Sequence, residues 1–290
     1  MSGTETIAYT ITGIALALTC ALFTLSSRSR LRDATGTTET EDASLSARLQ
    51  GVEPRQALLY RLAIAVAAIA LLALGTGLAL RGMAAGRWPL GSPFEFTLAF
   101  AACVVLMFLC LHRTAQTPMA GAIATLLALA LMVHAFLVQS EAARAIQPLP
   151  PVMRGIWFSL HTLLTATAYG ALAVAGSVAL GNLVMSSLPV GAFVDWAMDV
   201  GYVALSLGMI AGGIWGERAW GEYWSWSIKE IWTLITWWVC TFYDHVRRRR
   251  GWRGRRAMCI AVLSLVAVIV TFFFTPTMLH WTRLQRLRIY

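Results

Sequence analysis

Charged residues are scarce in this sequence. Only 13% of the 290 residues are charged, whereas 58% are hydrophobic. A soluble domain would need considerably more charge to cover its surface, so that class of protein is excluded. Apolar runs of about 20 residues, the length that crosses a bilayer, recur along the whole chain. The composition therefore indicates a helical protein that crosses a lipid bilayer several times.

Paired cysteines are also lacking. The five cysteines lie within or at the ends of apolar runs, and no two of them form a CxxC pair. Buried thiols of this kind usually act as small hydrophobic residues. The chain therefore carries neither a thiol-redox motif nor a CxxCH haem-attachment site. The cysteines are Cys20, Cys103, Cys110, Cys240 and Cys259.

The first apolar run lacks the basic residues that precede the core of a signal peptide. Arg28, Arg30 and Arg32 follow the run at 7–26 instead of preceding it. We therefore predict an uncleaved first span with its N-terminus outside and the arginines inside. The Thr-, Ser- and acid-rich residues 33–56 are predicted to form a cytoplasmic linker.

The predicted fold class is all-α, a polytopic membrane helix bundle of about eight transmembrane helices with the N- and C-termini outside. The arginines of 247–256 then lie inside, as the positive-inside rule requires. The net charge of +9 belongs to this pattern and does not predict nucleic-acid binding. We divide the chain into 1–57, a first helix and linker, and 58–290, a transmembrane domain. The predicted spans are 7–26, 58–80, 95–111, 119–138, 155–184, 198–214, 229–246 and 257–275.

Tryptophan is concentrated in one segment, residues 215–252. Residues 215–228 are predicted to form an outer loop, and an apolar helix follows it. Composition alone favours an aromatic belt at the membrane interface as the explanation of such a cluster. The tryptophans are Trp215, Trp220, Trp224, Trp226, Trp232, Trp237, Trp238 and Trp252.

This segment resembles the WWD signature of the cytochrome c assembly proteins of the CcsA/ResC type. The resemblance favours a haem-binding platform over an interfacial belt. It extends, less strongly, from about Trp88 to His280, where Glu95 matches an acid that begins a helix. The family usually has Asp-Pro where this chain has Ser227 and Ile228. The residues that follow the signature are Trp220, Gly221, Tyr223, Trp224, Trp226, Lys229, Glu230, Trp232, Leu234, Ile235 and Trp237.

The resemblance implies a set of haem-binding residues. His161 and His280 match histidines that ligate haem iron at the outer face. His245 matches the ligand of a second haem inside the membrane, whose partner histidine comes from a separate ResB-type subunit. His112 is the one candidate partner within this chain, although His112 and His134 have no family support and are interpreted as structural. The resemblance further implies haem b as cofactor, catalytic roles for Trp220, Trp224, Trp226 and Glu230, and haem contacts for Trp215, Trp220, Trp224, Trp226 and Trp237.

Helical spacing predicts that one face of the helix after the loop links the two membrane boundaries. Trp226 and His245 are nineteen positions apart, which is roughly 28 Å in a helix and close to the thickness of the hydrocarbon core. Polar residues on such a face should look into the protein. An interfacial histidine beside the arginines is the alternative for His245. The face comprises Trp226, Glu230, Thr233, Trp237, Thr241 and His245.

Three functions are open at this point. The first is the haem-handling subunit of a System II cytochrome c synthase, a haem lyase component that presents haem to the CxxCH of apocytochrome c. Its partners would be a ResB/CcsB-like subunit and apocytochrome c, in the bacterial inner (plasma) membrane. The second is a divergent haem-binding electron-transfer or accessory subunit without ligase activity, which Ser227 favours. The third is a transporter or structural membrane protein without haem.

Overall fold

A computed structural model describes residues 3–35, 54–115, 118–185, 190–249 and 251–274. Within these ranges the chain is helical and contains no strand. Short π-helical segments, His134–Val138 and Val270–Phe274, continue the fourth and the last α-helix. The α-helices are α1 (Gly3–Thr35), α2 (Pro54–Ala85), α3 (Pro93–Ala115), α4 (Pro118–Val133), α5 (Glu141–Arg144), α6 (Ile156–Met185), α7 (Gly191–Trp220), α8 (Ile228–Arg249) and α9 (Arg255–Ile269).

Seven helices in this described part of the chain are long and apolar enough to cross a membrane. They coincide with seven of the eight predicted spans, so the prediction of a multi-pass helical bundle is confirmed. The outside position of the two termini stays a prediction. The seven segments are Gly3–Ser27, Arg55–Ala85, Pro93–Arg113, Pro118–Val138, Ile156–Val184, Gly191–Trp220 and Arg255–Phe274.

The eighth predicted span corresponds to α8, which is less apolar because tryptophan, threonine and charged residues interrupt it. It lies antiparallel to α7. Trp237 Nε1 donates to Ser206 Oγ at 2.9 Å, and further along α8 Arg247 Nη2 donates to Asp199 Oδ1 at 2.7 Å. Its 22 residues correspond to about 33 Å, enough to cross the hydrocarbon layer. The packing therefore fits an amphipathic helix that crosses the bilayer beside α7.

Helix α6 lies at the centre of the bundle. It packs most extensively on α7 and also contacts α3, α4 and α9, while α1 packs on α2 and α4. Small residues allow these helices to approach closely, as is usual where lipid removes the hydrophobic driving force. A Cβ on Gly176 would lie 2.4 Å from Cβ of Leu265, and one on Gly170 would lie 2.7 Å from Cβ of Cys103.

Helix α7 extends beyond both ends of its predicted span. The helix begins at Gly191, so Asp195 is already helical. Asp195 and Asp199 face α8, where Tyr243 binds the first and Arg247 the second. At its end, Trp215 and Trp220 belong to the helix, so the prediction of a loop beginning at residue 215 is wrong. The helix ends because Gly221 adopts a left-handed conformation with φ 78° and donates its N–H to the carbonyl of Glu217.

Two predictions fall outside the described residues. One is the middle of the predicted linker, residues 36–53. The two ends of that linker are described and are helical, because α1 continues to Thr35 and α2 begins at Pro54. His280 is the other.

Candidate functional site

A cavity of about 870 Å³ lies where one end of α7 meets the loop that leads into α8. This volume is within the usual range of cofactor and ligand sites. The cavity also reaches the start of α3, the first turns of α6 and both π-helical segments. Lining residues on which the site depends are His134, His161, Gly212, Trp215, Trp220, Trp224, Ser227, Lys229, Glu230 and Phe273.

His161 lines this cavity, and a hydrogen bond fixes the tautomer of its ring. Its Nδ1 lies 2.8 Å from the carbonyl oxygen of Gly208 on α7. Because a carbonyl can only accept, Nδ1 carries the proton and Nε2 keeps a free lone pair. The ring is stacked on Trp215, with 14° between the planes and 6.1 Å between the centroids. The arrangement is that of a neutral, oriented imidazole ready to bind a metal.

Glycines on α7 make this approach possible. A Cβ on Gly212 would lie only 2.6 Å from Nδ1 of His161. Cβ atoms on Gly213 and Gly216 would lie 3.3 Å from the carbonyl oxygen of Tyr223 and 3.1 Å from that of Glu222. These glycines therefore allow both His161 and the loop at 221–227 to lie close to α7.

Three tryptophans line the cavity. Trp215 donates its Nε1 hydrogen to the carbonyl of Val152 at 2.7 Å and meets Trp220 edge to face at 6.2 Å. Trp224 also lines the cavity, and its buried Nε1 has no hydrogen-bond partner among the described residues. Trp220 is 68% exposed, so one side of the cavity is open.

Trp226 contacts Trp224 but does not line the cavity. The ring centroids of the two tryptophans are 6.0 Å apart. Its φ of 56° lies in the left-handed region. The sequence predicted four tryptophans in an outer loop. Three of them, Trp215, Trp220 and Trp224, line the same cavity as His161.

Ser227 and Ile228, which stand where the family usually has Asp-Pro, lie at the start of α8. Ser227 is the N-cap, since its carbonyl accepts the first helical hydrogen bond from Ile231 N at 2.9 Å. The Ser227 hydroxyl lies 3.4 Å from Glu230 N, and Glu230 Oε2 accepts from Ser227 N at 2.8 Å. This is a capping box, in which serine replaces aspartate as one of the preferred N-cap residues. Ile228 occupies the first helical position, where proline is favoured and is not required.

Glu230 also ties the loop to α8. Its Oε2 accepts from the backbone N–H of Ser225 at 3.0 Å and from the Ser225 hydroxyl at 2.8 Å. The carboxylate is thus occupied by the two serines that flank Trp226. Its geometry is that of a residue that positions the loop.

A second capping box stands at the rim of the same cavity, at the start of α3. Glu95 N donates to Ser92 Oγ at 3.2 Å, while the Glu95 carboxylate accepts from Gly91 N and Ser92 N at 2.7 and 3.2 Å. Arg81 Nε and Arg87 Nη1 bind the same carboxylate at 2.8 and 2.7 Å, and the side chains of Arg81 and Glu95 are fully buried. Glu95 is therefore an acid in the first turn of α3, and it holds the rim through its ion pairs with Arg81 and Arg87.

The structure separates His245 and Trp237 from this cavity. His245 is exposed and lies fifteen positions beyond Glu230, a rise of roughly 22 Å along α8. Trp237 lies between the two, with its ring on Tyr202 of α7 at 5.8 Å. His112 packs on Tyr60 of α2 and does not line the cavity.

His134 lines the cavity, although the sequence indicated only a structural role for it. The imidazole meets Phe273 edge to face at 5.0 Å. The sequence offered no signal for this position because His134 and Phe273 are brought together by two π-helical segments that are distant in the chain. Lys229, which the sequence treated only as part of the signature, lines the cavity as well.

Known proteins resemble the chain both in sequence and in fold. The family described as Cytochrome C assembly protein matches residues 92–281. The Cytochrome c biogenesis protein CcsA of Synechococcus sp. strain CC9902 is 30% identical over 243 residues, which cover 71% of this chain and 80% of the relative. CcsA of Gloeobacter violaceus is 26% identical over 284 residues, which cover 75% of this chain and 84% of that relative.

A solved structure, that of Cytochrome c Heme Lyase CcmF, shares the fold with a TM-score of 0.64 at 19% sequence identity. The likeness covers 94% of this chain, which spans about half, 47%, of the CcmF chain. The family match and the cyanobacterial relatives together show that this multi-pass membrane chain belongs to the cytochrome c assembly protein family.

Proposed function

We propose that this chain is the haem-handling subunit of a cytochrome c synthase in the bacterial inner membrane. In this proposal the cavity holds haem b at the outer face and presents it to the CxxCH cysteines of apocytochrome c. The observation that carries the proposal is His161, whose Nε2 lone pair is free beside a stacked tryptophan in a cavity of about 870 Å³. The family, and relatives named as cytochrome c biogenesis proteins, support the same function.

The residues of the cavity fit haem as the substrate. A neutral imidazole is a normal axial ligand of haem iron. Trp215 and Trp224 supply the apolar contact area that a flat macrocycle needs, and Trp224 Nε1 is a buried donor without a partner. His280, which lies outside the described residues, is proposed as the second axial ligand.

The roles that we assign to the loop follow from its contacts. Haem supplies two vinyl groups, and the S–H of each cysteine adds across one of them to form a thioether. Trp220, which is exposed at the open side, would border the approach of the apocytochrome. Trp226 and Glu230 would hold the loop in position, because Glu230 binds both serines around Trp226.

The second subunit of the synthase is proposed to be ResB/CcsB-like. His245 is exposed at the inner end of α8, and no described residue hydrogen-bonds its side chain. An exposed histidine there is available to a neighbouring subunit, which fits the proposed second haem shared between two proteins.

The alternative is a haem-binding electron-transfer or accessory subunit without ligase activity. It is favoured by the departure at Ser227, and the capping box weakens that argument because serine fulfils the N-cap role. The two functions differ in the covalent product. Co-expression with an apocytochrome c and the second subunit should yield haem-stained cytochrome on a denaturing gel if the chain belongs to a synthase, whereas an accessory subunit yields none.

The first test is an absorption spectrum of the detergent-purified protein, oxidised and then dithionite-reduced, with a pyridine haemochrome assay. We expect a six-coordinate b-type spectrum, which His161→Ala should abolish or convert to a five-coordinate one. His112→Ala is the matched control, because that histidine contacts Tyr60 away from the cavity. A wild-type protein that is colourless and takes up no added haem would contradict the proposal and leave the tryptophans as an interfacial anchor.

A further inference from the structure

Lys229 is the only lysine of the chain, which otherwise carries arginines and five histidines as basic side chains. It stands in the first turn of α8 and lines the cavity. Among the described residues that line the cavity, no other is a lysine or an arginine. Lys229 is exposed, and the wall of the cavity around it is otherwise largely apolar and aromatic.

The Lys229 ammonium has no counter-ion in the described part of the protein. No carboxylate lies within salt-bridge distance of it, although Glu230 is adjacent in sequence and Glu222 lines the same cavity. The Oε2 atom of Glu230 is engaged by Ser225 and Ser227. The capping box therefore holds the Glu230 carboxylate against the loop, so that it does not pair with Lys229.

The position of Lys229 in the first turn of α8 is unfavourable for a cation. The N-terminus of a helix carries a partial positive charge, so a lysine in the first turn opposes the helix dipole. A lysine that is unfavourable for its own helix and unpaired within the chain is the arrangement expected of an anion-binding group.

We propose that the Lys229 Nζ binds a carboxylate of the cavity's occupant, which is a haem propionate. This inference rests on the proposed function, because haem is the occupant proposed there. Protoporphyrin carries two propionates, and an ammonium–carboxylate hydrogen bond is short and charge-assisted. Lys229 is then a specificity-determining residue, which fixes one edge of the macrocycle while His161 holds the iron. The vinyl groups lie elsewhere on the macrocycle and remain available to cysteine thiols.

The test compares two ligands that differ only in their carboxylates. Iron protoporphyrin IX and its dimethyl ester are titrated into the full-length protein in one detergent, and the dissociation constants are read from the Soret absorbance. Wild type should bind the diacid at least about tenfold more tightly than the diester, as expected for loss of a charge-assisted hydrogen bond. In Lys229→Gln the ratio of the two constants should fall towards one, while Lys229→Arg should retain the preference.

Arg218→Gln is the matched control. Arg218 is an exposed cation near the same end of α7, and it stacks over Trp157 at 5.6 Å without lining the cavity. Its replacement removes the same charge and should leave the ratio of the constants unchanged.

The results that overturn the inference differ from those that overturn the function. Equal affinities of wild type for the diacid and the diester would overturn the inference and leave haem binding intact, and this comparison needs no variant. An unchanged ratio in Lys229→Gln would assign the carboxylate to another group and would overturn it too. If wild type binds neither porphyrin, the proposed function fails and the inference fails with it.

Discussion

The Nδ1 atom of His161 lies 2.8 Å from the carbonyl oxygen of Gly208, so an imidazole on α6 binds the backbone of α7. The carbonyl of a helical residue ordinarily accepts from the N–H four positions later, which here is the N–H of Gly212. A carbonyl oxygen has two lone pairs, so it can accept from the histidine as well. The helix backbone itself therefore fixes the tautomer of His161, provided that the residue at position 212 has no side chain.

Gly212→Ala should displace His161. The new Cβ would lie 2.6 Å from Nδ1, which forces the ring away from Gly208. Overpacking of this kind costs about 1–3 kcal/mol. If that cost falls on the ligand geometry, haem affinity should drop roughly tenfold, as measured by titration of the purified protein with haem.

Gly75→Ala is the control for this substitution. It lies within α2, and a Cβ there would meet no atom within 4 Å. Haem affinity should stay unchanged in this variant. Unchanged affinity in Gly212→Ala as well would contradict the role assigned to the Gly208 hydrogen bond.

The sequence predicted the membrane helices well and the site only in part. Apolar runs of spanning length report on lipid contact, so seven spans could be located without any tertiary information. The end of α7 was misplaced by six residues because Trp215 and Trp220 interrupt the apolar pattern while remaining helical. That helix is ended by Gly221, whose left-handed conformation is a local backbone property.

The cavity could not be assembled from sequence alone. His161 and Trp215 were selected through the family resemblance, yet their stacking depends on two helices packed through glycines. His134 was missed because no pattern connects it to Phe273. Ser227 was identified only as a departure from the family signature. The structure shows that it is an N-cap, which could not be predicted because capping depends on where the helix begins.

Ser227→Ala should loosen the start of α8. Loss of an N-cap hydroxyl costs about 1 kcal/mol, and Glu230 would then lack its reciprocal partner. Amide hydrogen exchange of residues 228–231 should accelerate by roughly fivefold, following that free energy. Ser227→Asp should exchange at the wild-type rate, because aspartate is an equally good N-cap.

The same pair of variants reports on function. A synthase with a satisfied cap should attach haem equally well in wild type and in Ser227→Asp, and less well in Ser227→Ala. A large gain of attachment in Ser227→Asp would mean that the aspartate carboxylate has a chemical role that serine does not supply.

Glu95→Gln should destabilise the rim of the cavity strongly. The substitution leaves Arg81 fully buried without its carboxylate, and removing one partner of a buried ion pair costs about 3–5 kcal/mol. We expect a clearly lowered melting temperature in detergent, followed by intrinsic tryptophan fluorescence. Arg248→Gln removes an exposed partner of Asp244 at the other end of the bundle and should change the melting temperature little. Equal melting temperatures of Glu95→Gln and wild type would show that the buried pair is not needed for stability.

His161 and His245 should act independently. His245 lies roughly 22 Å along α8 from Glu230 at the cavity, and substitutions so far apart usually have additive effects. His245→Ala should therefore leave the absorption spectrum and affinity of haem at the His161 site unchanged. If a ResB/CcsB-like subunit is co-purified, the same variant should lower the haem content of the complex without altering the spectrum of the remainder. His161→Ala should produce the converse result, and the double variant should lose both fractions. Loss of the His161-dependent spectrum in His245→Ala would instead show that α8 couples the two ends, because no common ligand set can include both residues.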